Sequence, residues 1–234
     1  MVGTTDTKYV IEAPELARVP VRGKDKMFPV RRIYCIGRNY AAHALEMGGD
    51  PTREPPFFFQ KNPDNIVINN QPFPYPSHSN NVHHEIELVV ALGTGGKNIP
   101  ISAALSHVYG YAVGIDMTRR DLQDQAKKTG RPWEIGKAFE HSAPISEIVS
   151  ASEIGHPQKG AITIKVNGNV IQSSNLDKMI WKVPEMIAYL SEFFELQPGD
   201  LIMSGTPEGV GPIVRGDIME GFIEGVGSIR ALVT

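Results

Sequence analysis

The run His84-Glu85-Ile86-Glu87-Leu88-Val89-Val90-Ala91-Leu92 constrains this chain more than any other segment. It reads as a strand over 85–92, and alternate side chains of a strand leave the same face. Glu85 and Glu87 are therefore expected on one side of a strand whose other residues look buried. Two buried like charges are costly unless something positive lies between them. A divalent cation meets that need, and Asp116 ends a second strand-like run, Tyr109 to Ile115. Three carboxylates suit Mg2+ or Mn2+, with remaining positions open to water or substrate. A solvated strand edge is the competing reading. No cysteine pair or closely spaced histidine pair competes for zinc. His83 and His84 adjoin the strand, but neighbouring strand residues face opposite ways.

At 234 residues the chain can bury a substantial core in one or two domains. Its formal net charge of -3 favours neither nucleic acid nor an anionic membrane as partner. The single cysteine, Cys35, excludes an internal disulfide. It sits in Ile33-Tyr34-Cys35-Ile36, the setting of a buried structural thiol. No stretch approaches the roughly 18 apolar residues of a membrane span. Met1 to Val10 lacks the apolar core of a signal peptide, so a cytoplasmic protein is expected.

Along the chain, residues 1–30 read as a peripheral arm with a short strand or two, and 31–234 as one compact catalytic domain. Strands are expected at Arg32–Ile36, Phe57–Phe59, Leu201–Met203, Ile218–Ile223 and Val226–Val233. A helix over about 39–47 stops at Gly48-Gly49 and Pro51. Ser102 to Val108 is a candidate helical turn. Thr118 looks like the N-cap of a helix that reaches Lys128 and stops at Gly130. Asn167-Gly168 joins Ala161–Val166 to Asn169–Gln172 as a hairpin, because Asn-Gly tolerates the positive φ of a tight turn. Pro184 opens a helix to about Phe194. Short strands, many turns, few helices and no βαβ series give an α+β fold.

Further constellations carry chemistry. His43 and Glu46 share a helix face at i, i+3, and a carboxylate beside an imidazole suits a general base. Alone, such a pair is common on surfaces. Lys137 lies among Trp133, Ile135, Ala138 and Phe139. It reads either as a snorkelling side chain or as positive charge for a developing oxyanion, with Glu140 as a possible pair. Arg119 and Arg120 follow Asp116 and suit bidentate binding of a carboxylate, although helix-surface salt bridges compete with that use. The loop from Ser204 to Gly211 lacks P-loop and dinucleotide spacing and reads either as an oxyanion-binding loop, with close backbone approach and Thr206 as a donor, or as a plain structural turn. No nucleophile elbow is present.

Five ordered segments, Gly37-Arg38-Asn39-Tyr40-Ala41-Ala42-His43, His84 to Leu88, Gly114 to Gln123, Gly136-Lys137-Ala138-Phe139 and Ser204 to Gly211, resemble the fumarylacetoacetate hydrolase family. The resemblance runs from about residue 30 to the end. It implies a mixed β-roll, a divalent metal and a homodimer. It implies Glu85, Glu87 and Asp116 as metal ligands, His43 with Glu46 as the water-activating dyad, and Lys137 beside the metal. Thr206, Arg38 and Gln123 match pocket positions, and Arg38 or Arg119 would hold a distal carboxylate. Relatives often carry aspartate where Glu140 stands. Phe57 to Lys61, Asp116 to Asp121, Gly130 to Trp133 and Gly136 to Pro144 are most similar to members that hydrolyse fumarylpyruvate in gentisate breakdown. Acylpyruvases with oxaloacetate decarboxylase activity share most of these motifs, and a related isomerase or decarboxylase of unsaturated keto acids is a third candidate. A non-enzymatic metal-stabilised interaction protein would keep the carboxylates but lack a solvent-reachable dyad.

Overall fold

The chain's longest apolar runs alternate between two buried faces, and the architecture follows from that. The computed structural model describes residues 8–46, 55–68 and 70–234. A mixed six-stranded sheet runs in the order Val149–Ser150, Val108–Ile115, Ile86–Leu92, Asp200–Met203, Arg32–Gly37, Phe57–Lys61. Only the Asp200–Met203 and Arg32–Gly37 pair is parallel within it. Leu88, Val90, Leu92, Tyr34 and Ile36 enter one core, whereas Val89, Ala91, Ile33 and Cys35 enter a second core on the opposite face. A sheet covered on both faces needs apolar residues in succession rather than in alternation with polar ones. This is why Ile86 to Leu92 is buried at every position.

The first core is closed by the Val183–Phe193 helix and by a four-stranded antiparallel sheet ordered Asn169–Asn175, Ala161–Val166, Ile218–Ile223, Gly227–Leu232. The expected Asn-Gly hairpin is present, with Asn167 at φ 51° and Gly168 at φ 81°. The second core is closed by an N-terminal hairpin, Arg18–Pro20 with Met27–Pro29, through Val19, Phe28 and Val30. Cys35 is fully buried there. A smaller sheet joins Gly211–Ile213, Val82–His84 and Thr118–Arg119, bringing the glycine loop beside the acidic strand.

Several boundaries move, for physical reasons. Glu85 precedes the Ile86–Leu92 strand, and Asp116 follows Val108–Ile115. Their backbones still meet, Asp116 N–H donating to Glu85 O at 2.8 Å. Thr118 does not cap a helix. It is the strand partner of His83, and the helix is Arg120–Thr129, ended by Gly130 at φ 63°. The helix expected over 39–47 is described as Ala41–Glu46. Its stop at Gly48-Gly49 and Pro51 lies outside the described residues, as do residues 1–7 of the arm. Among the described residues no helix is long and apolar enough to cross a membrane.

Candidate active site

Glu85, Glu87 and Asp116 converge where the paired strands Ile86–Leu92 and Val108–Ile115 meet at one end. Each offers an oxygen within 4.8 Å of the others, and all three are buried. At that separation two carboxylates repel by roughly 3 kcal/mol for an effective dielectric of about 20. Three cations offset this. Lys137 Nζ donates to Glu85 Oε2 and Asp116 Oδ2 at 2.8 Å each and to Thr118 Oγ1 at 2.7 Å. Lys61 Nζ lies 2.8 Å from Asp116 Oδ1 at an angle that leaves this oxygen without a hydrogen bond. Lys61 also donates to Met117 O and to Lys137 O, coupling its position to both neighbours. Arg120 Nη2 donates to Glu85 Oε1.

Charge is unevenly distributed over the three acids. Burial penalises the Glu85 carboxylate, but Lys137 and Arg120 outweigh it and hold its pKa well below the usual range. Burial pushes Glu87 well above that range, with Asp116 and Glu85 adding repulsion. Among the described residues Glu87 makes no ion pair, and its Oε2 accepts only from Gly205 N–H, at 2.8 Å. Burial likewise opposes charge on Lys137, yet Asp116 and Glu85 raise its pKa. An all-oxygen cluster with a poorly compensated member, Glu87, fits a hard divalent cation, so the donor chemistry favours a metal here.

The cleft above these acids is shaped by two loops. Gly205 stands at φ 91°, and a Cβ there would lie 2.7 Å from Asn39 Cβ. Glycine alone satisfies both the backbone angle and the close approach. Asn39 secures the junction: its Nδ2 donates to Ser204 O at 2.8 Å and Trp181 O at 3.0 Å, and its Oδ1 accepts from Trp181 N–H at 2.7 Å. The Ala41–Glu46 helix follows, with His43 buried against the cleft. His43 Nδ1 lies 3.1 Å from Glu46 Oε2, and Glu46 accepts from Gly209 N–H at 3.1 Å. With Nδ1 donating to the carboxylate, Nε2 is the proton acceptor.

Arg38, Gln123 and Thr206, expected at the pocket, all line this cleft together with His43, Lys137 and the three acids. Arg119, expected beside them as a carboxylate-binding residue, does not. Its guanidinium lies over the Phe139 ring at 4.4 Å, and Nη1 donates to Ile135 O. Arg120 takes the inward place and also donates to Gln123 Oε1 at 2.5 Å. Lys137 neither snorkels nor pairs with Glu140, because its three protons go to Glu85, Asp116 and Thr118 while Glu140 is exposed. His83 and His84 stay outside the acidic group: His83 bonds Asn81 and Arg120, and His84 bonds Gln172.

Three contributors were missed. Lys61 ends an aromatic strand and gave no sign of burial. Lys127 looked like a helix-terminal charge but lines the cleft. Gln172 is fully buried in the middle of the Asn169–Asn175 strand. It accepts from Ile86 N–H and donates to Thr206 Oγ1 and Pro207 O, tying the acidic strand to the glycine loop.

Residues 32–234 match the fumarylacetoacetate (FAA) hydrolase C-terminal domain. A fumarylpyruvate hydrolase from Ralstonia sp. is 47% identical over 79% of this chain and 95% of its own. A mitochondrial oxaloacetate tautomerase of Mus musculus is 42% identical over 86% and 90%. A solved fumarylpyruvate hydrolase from Pseudomonas aeruginosa, in complex with Mn2+ and pyruvate, superposes with a TM-score of 0.95 at 52% identity, covering 97% of this chain and 99% of the other. With the mixed sheets, the buried acids and these matches in agreement, the chain belongs to the fumarylacetoacetate hydrolase family.

Proposed function

We propose that this enzyme hydrolyses the C–C bond of a 2,4-diketo acid, releasing fumarate and pyruvate from fumarylpyruvate. The carrying observation is that the His43–Glu46 pair and the three buried acids open on one cleft. A Mg2+ or Mn2+ ion held by Glu85, Glu87 and Asp116 supplies Lewis acidity and a template for an α-keto acid. His43 Nε2 takes a proton from water while Glu46 fixes its ring through Nδ1. The water oxygen adds to the C4 carbonyl. Thr206 accepts from Gln172, so its own hydroxyl proton can be donated to the oxyanion. Lys137 sets the positions and charge of Glu85 and Asp116, and contact with the oxyanion requires it to release one present partner. The C3–C4 bond then breaks with its electron pair on C3. The proton held by His43 returns there, giving the second acid.

Similarity to fumarylpyruvate hydrolases supports this substrate, and similarity to the mouse tautomerase supports a second reading, enolate chemistry on oxaloacetate. The reading extends to a role in gentisate breakdown in the cytoplasm and to a homodimer. Exposed Val170, Phe222 and Leu232 on the four-stranded sheet support self-association. It also takes residues 1–30 as an arm on the catalytic domain 31–234, which the start of the family match at residue 32 supports. The test is a product assay on fumarylpyruvate, maleylpyruvate, acetylpyruvate and oxaloacetate with Mg2+ or Mn2+. Fumarylpyruvate is expected to turn over fastest. Much faster consumption of oxaloacetate than of every diketo acid would overturn the assignment.

A further inference from the structure

The cleft has two charged ends. At the inner end Lys61, Lys137 and Arg120 pair with Glu85 and Asp116. The outer end carries cations against an aromatic frame. Phe57 meets Trp133 edge to face at 5.4 Å, Arg38 Cζ lies 5.6 Å from the Phe57 ring, and Lys127 Nζ lies 5.6 Å from the Trp133 ring. All four residues line the cleft. Among the described residues Arg38 makes no ion pair. Among the same residues Lys127 pairs only with Asp124 of its own helix, at 3.6 Å, where Asp124 is half exposed and screening leaves the contact weak.

Arg120, Gln123 and Lys127 fall at i, i+3 and i+7, along one face of the Arg120–Thr129 helix. That face runs from Glu85 to the aromatic frame, a rise of about 10 Å from Arg120 to Lys127. A ligand anchored by an α-keto acid at the acids and extending along this face ends between Lys127 and Arg38. Its flat unsaturated middle would lie against Phe57 and Trp133. Arg38 stands at φ 54°, a backbone state disfavoured for a residue with a side chain, and its place at the cleft mouth depends on it.

We propose that Lys127 and Arg38 form a subsite for the distal carboxylate of a dicarboxylic substrate and set specificity for it over neutral-ended acylpyruvates. The proposal rests on reading the cleft as a diketo acid site. Burial lowers the Lys127 pKa, and Arg120 and Arg38 add repulsion; a second anion arriving there would relieve this.

The experiment compares wild type, Lys127→Met and Lys127→Arg. In the first arm, kcat/KM for fumarylpyruvate should fall at least tenfold more than that for acetylpyruvate in Lys127→Met, with Lys127→Arg recovering most of the difference. An equal fall on both acids overturns the subsite. In the second arm, titration calorimetry of Mn2+-loaded protein uses fumarate and crotonate, which differ by one carboxylate. Wild type should prefer fumarate at least tenfold, and Lys127→Met should lose that preference; an unchanged preference overturns the proposal. Arg38→Met, expected to lose the preference too, keeps the test decisive should Lys127→Met misfold. Should wild type turn over neither diketo acid, the hydrolase reading fails while the calorimetric preference still decides the subsite.

Discussion

The acidic floor of the cleft and the dyad above it are held in opposite ways. Glu85, Glu87 and Asp116 adjoin the central strands of a sheet buried on both faces. Ion pairs fix two of them and a backbone N–H the third. His43 and Glu46 ride on a helix of six residues, too short to be stable without its surroundings. The Glu46 side chain is 35% exposed and is joined to the glycine loop through one backbone N–H. The contrast separates two tasks. Under the proposed function the acids would hold the metal, which needs a rigid, dry cluster, and His43 would act as base, which needs one orientation of one ring.

Substitutions should therefore separate metal affinity from turnover. The largest effect is expected for Glu87→Ala, which removes the acid that makes no ion pair among the described residues. Mn2+ affinity measured by calorimetry and turnover should be lost together, with activity down by at least about a thousandfold. Retained Mn2+ affinity would show that the floor works without Glu87. The next effect is expected for His43→Ala. Mn2+ affinity should persist while kcat falls by roughly 10²–10⁴. Unchanged hydrolysis would remove His43 from the chemistry, and joint loss of metal would erase the distinction between floor and dyad.

The same contrast explains what the sequence disclosed. Glu85 and Glu87 were legible because period-two spacing is local, Asp116 because it ends an apolar run, and the Asn-Gly hairpin because its turn chemistry is local. Arg119 and Arg120 were not separable in that way. Both were expected on one helix, but Arg119 ends the Thr118–Arg119 strand while Arg120 opens the helix, a boundary set by pairing with Val82–His83. Thr118 had the composition of an N-cap, but Lys137 and the strand pairing claim it instead. Lys61 is buried because Asp116 and the carbonyls of Met117 and Lys137, far along the chain, surround its ammonium. Gln172 acts between two segments that only the tertiary fold brings together. Long-range partners thus decided the residues that local pattern misjudged.

The smallest and sharpest test is Glu46→Gln. The amide can present its oxygen to His43 Nδ1, so the ring keeps its orientation, but the negative charge facing the imidazolium formed during proton transfer is removed. The side chain's exposure screens that charge, which limits what its loss can do. We expect kcat to fall about tenfold, with KM and Mn2+ affinity near wild type. A fall as large as that of His43→Ala would mean that Glu46 carries as much of the chemistry as the ring it holds. The dyad would then be a tightly determined unit like the acidic floor, and the difference between the two regions would lie in exposure alone.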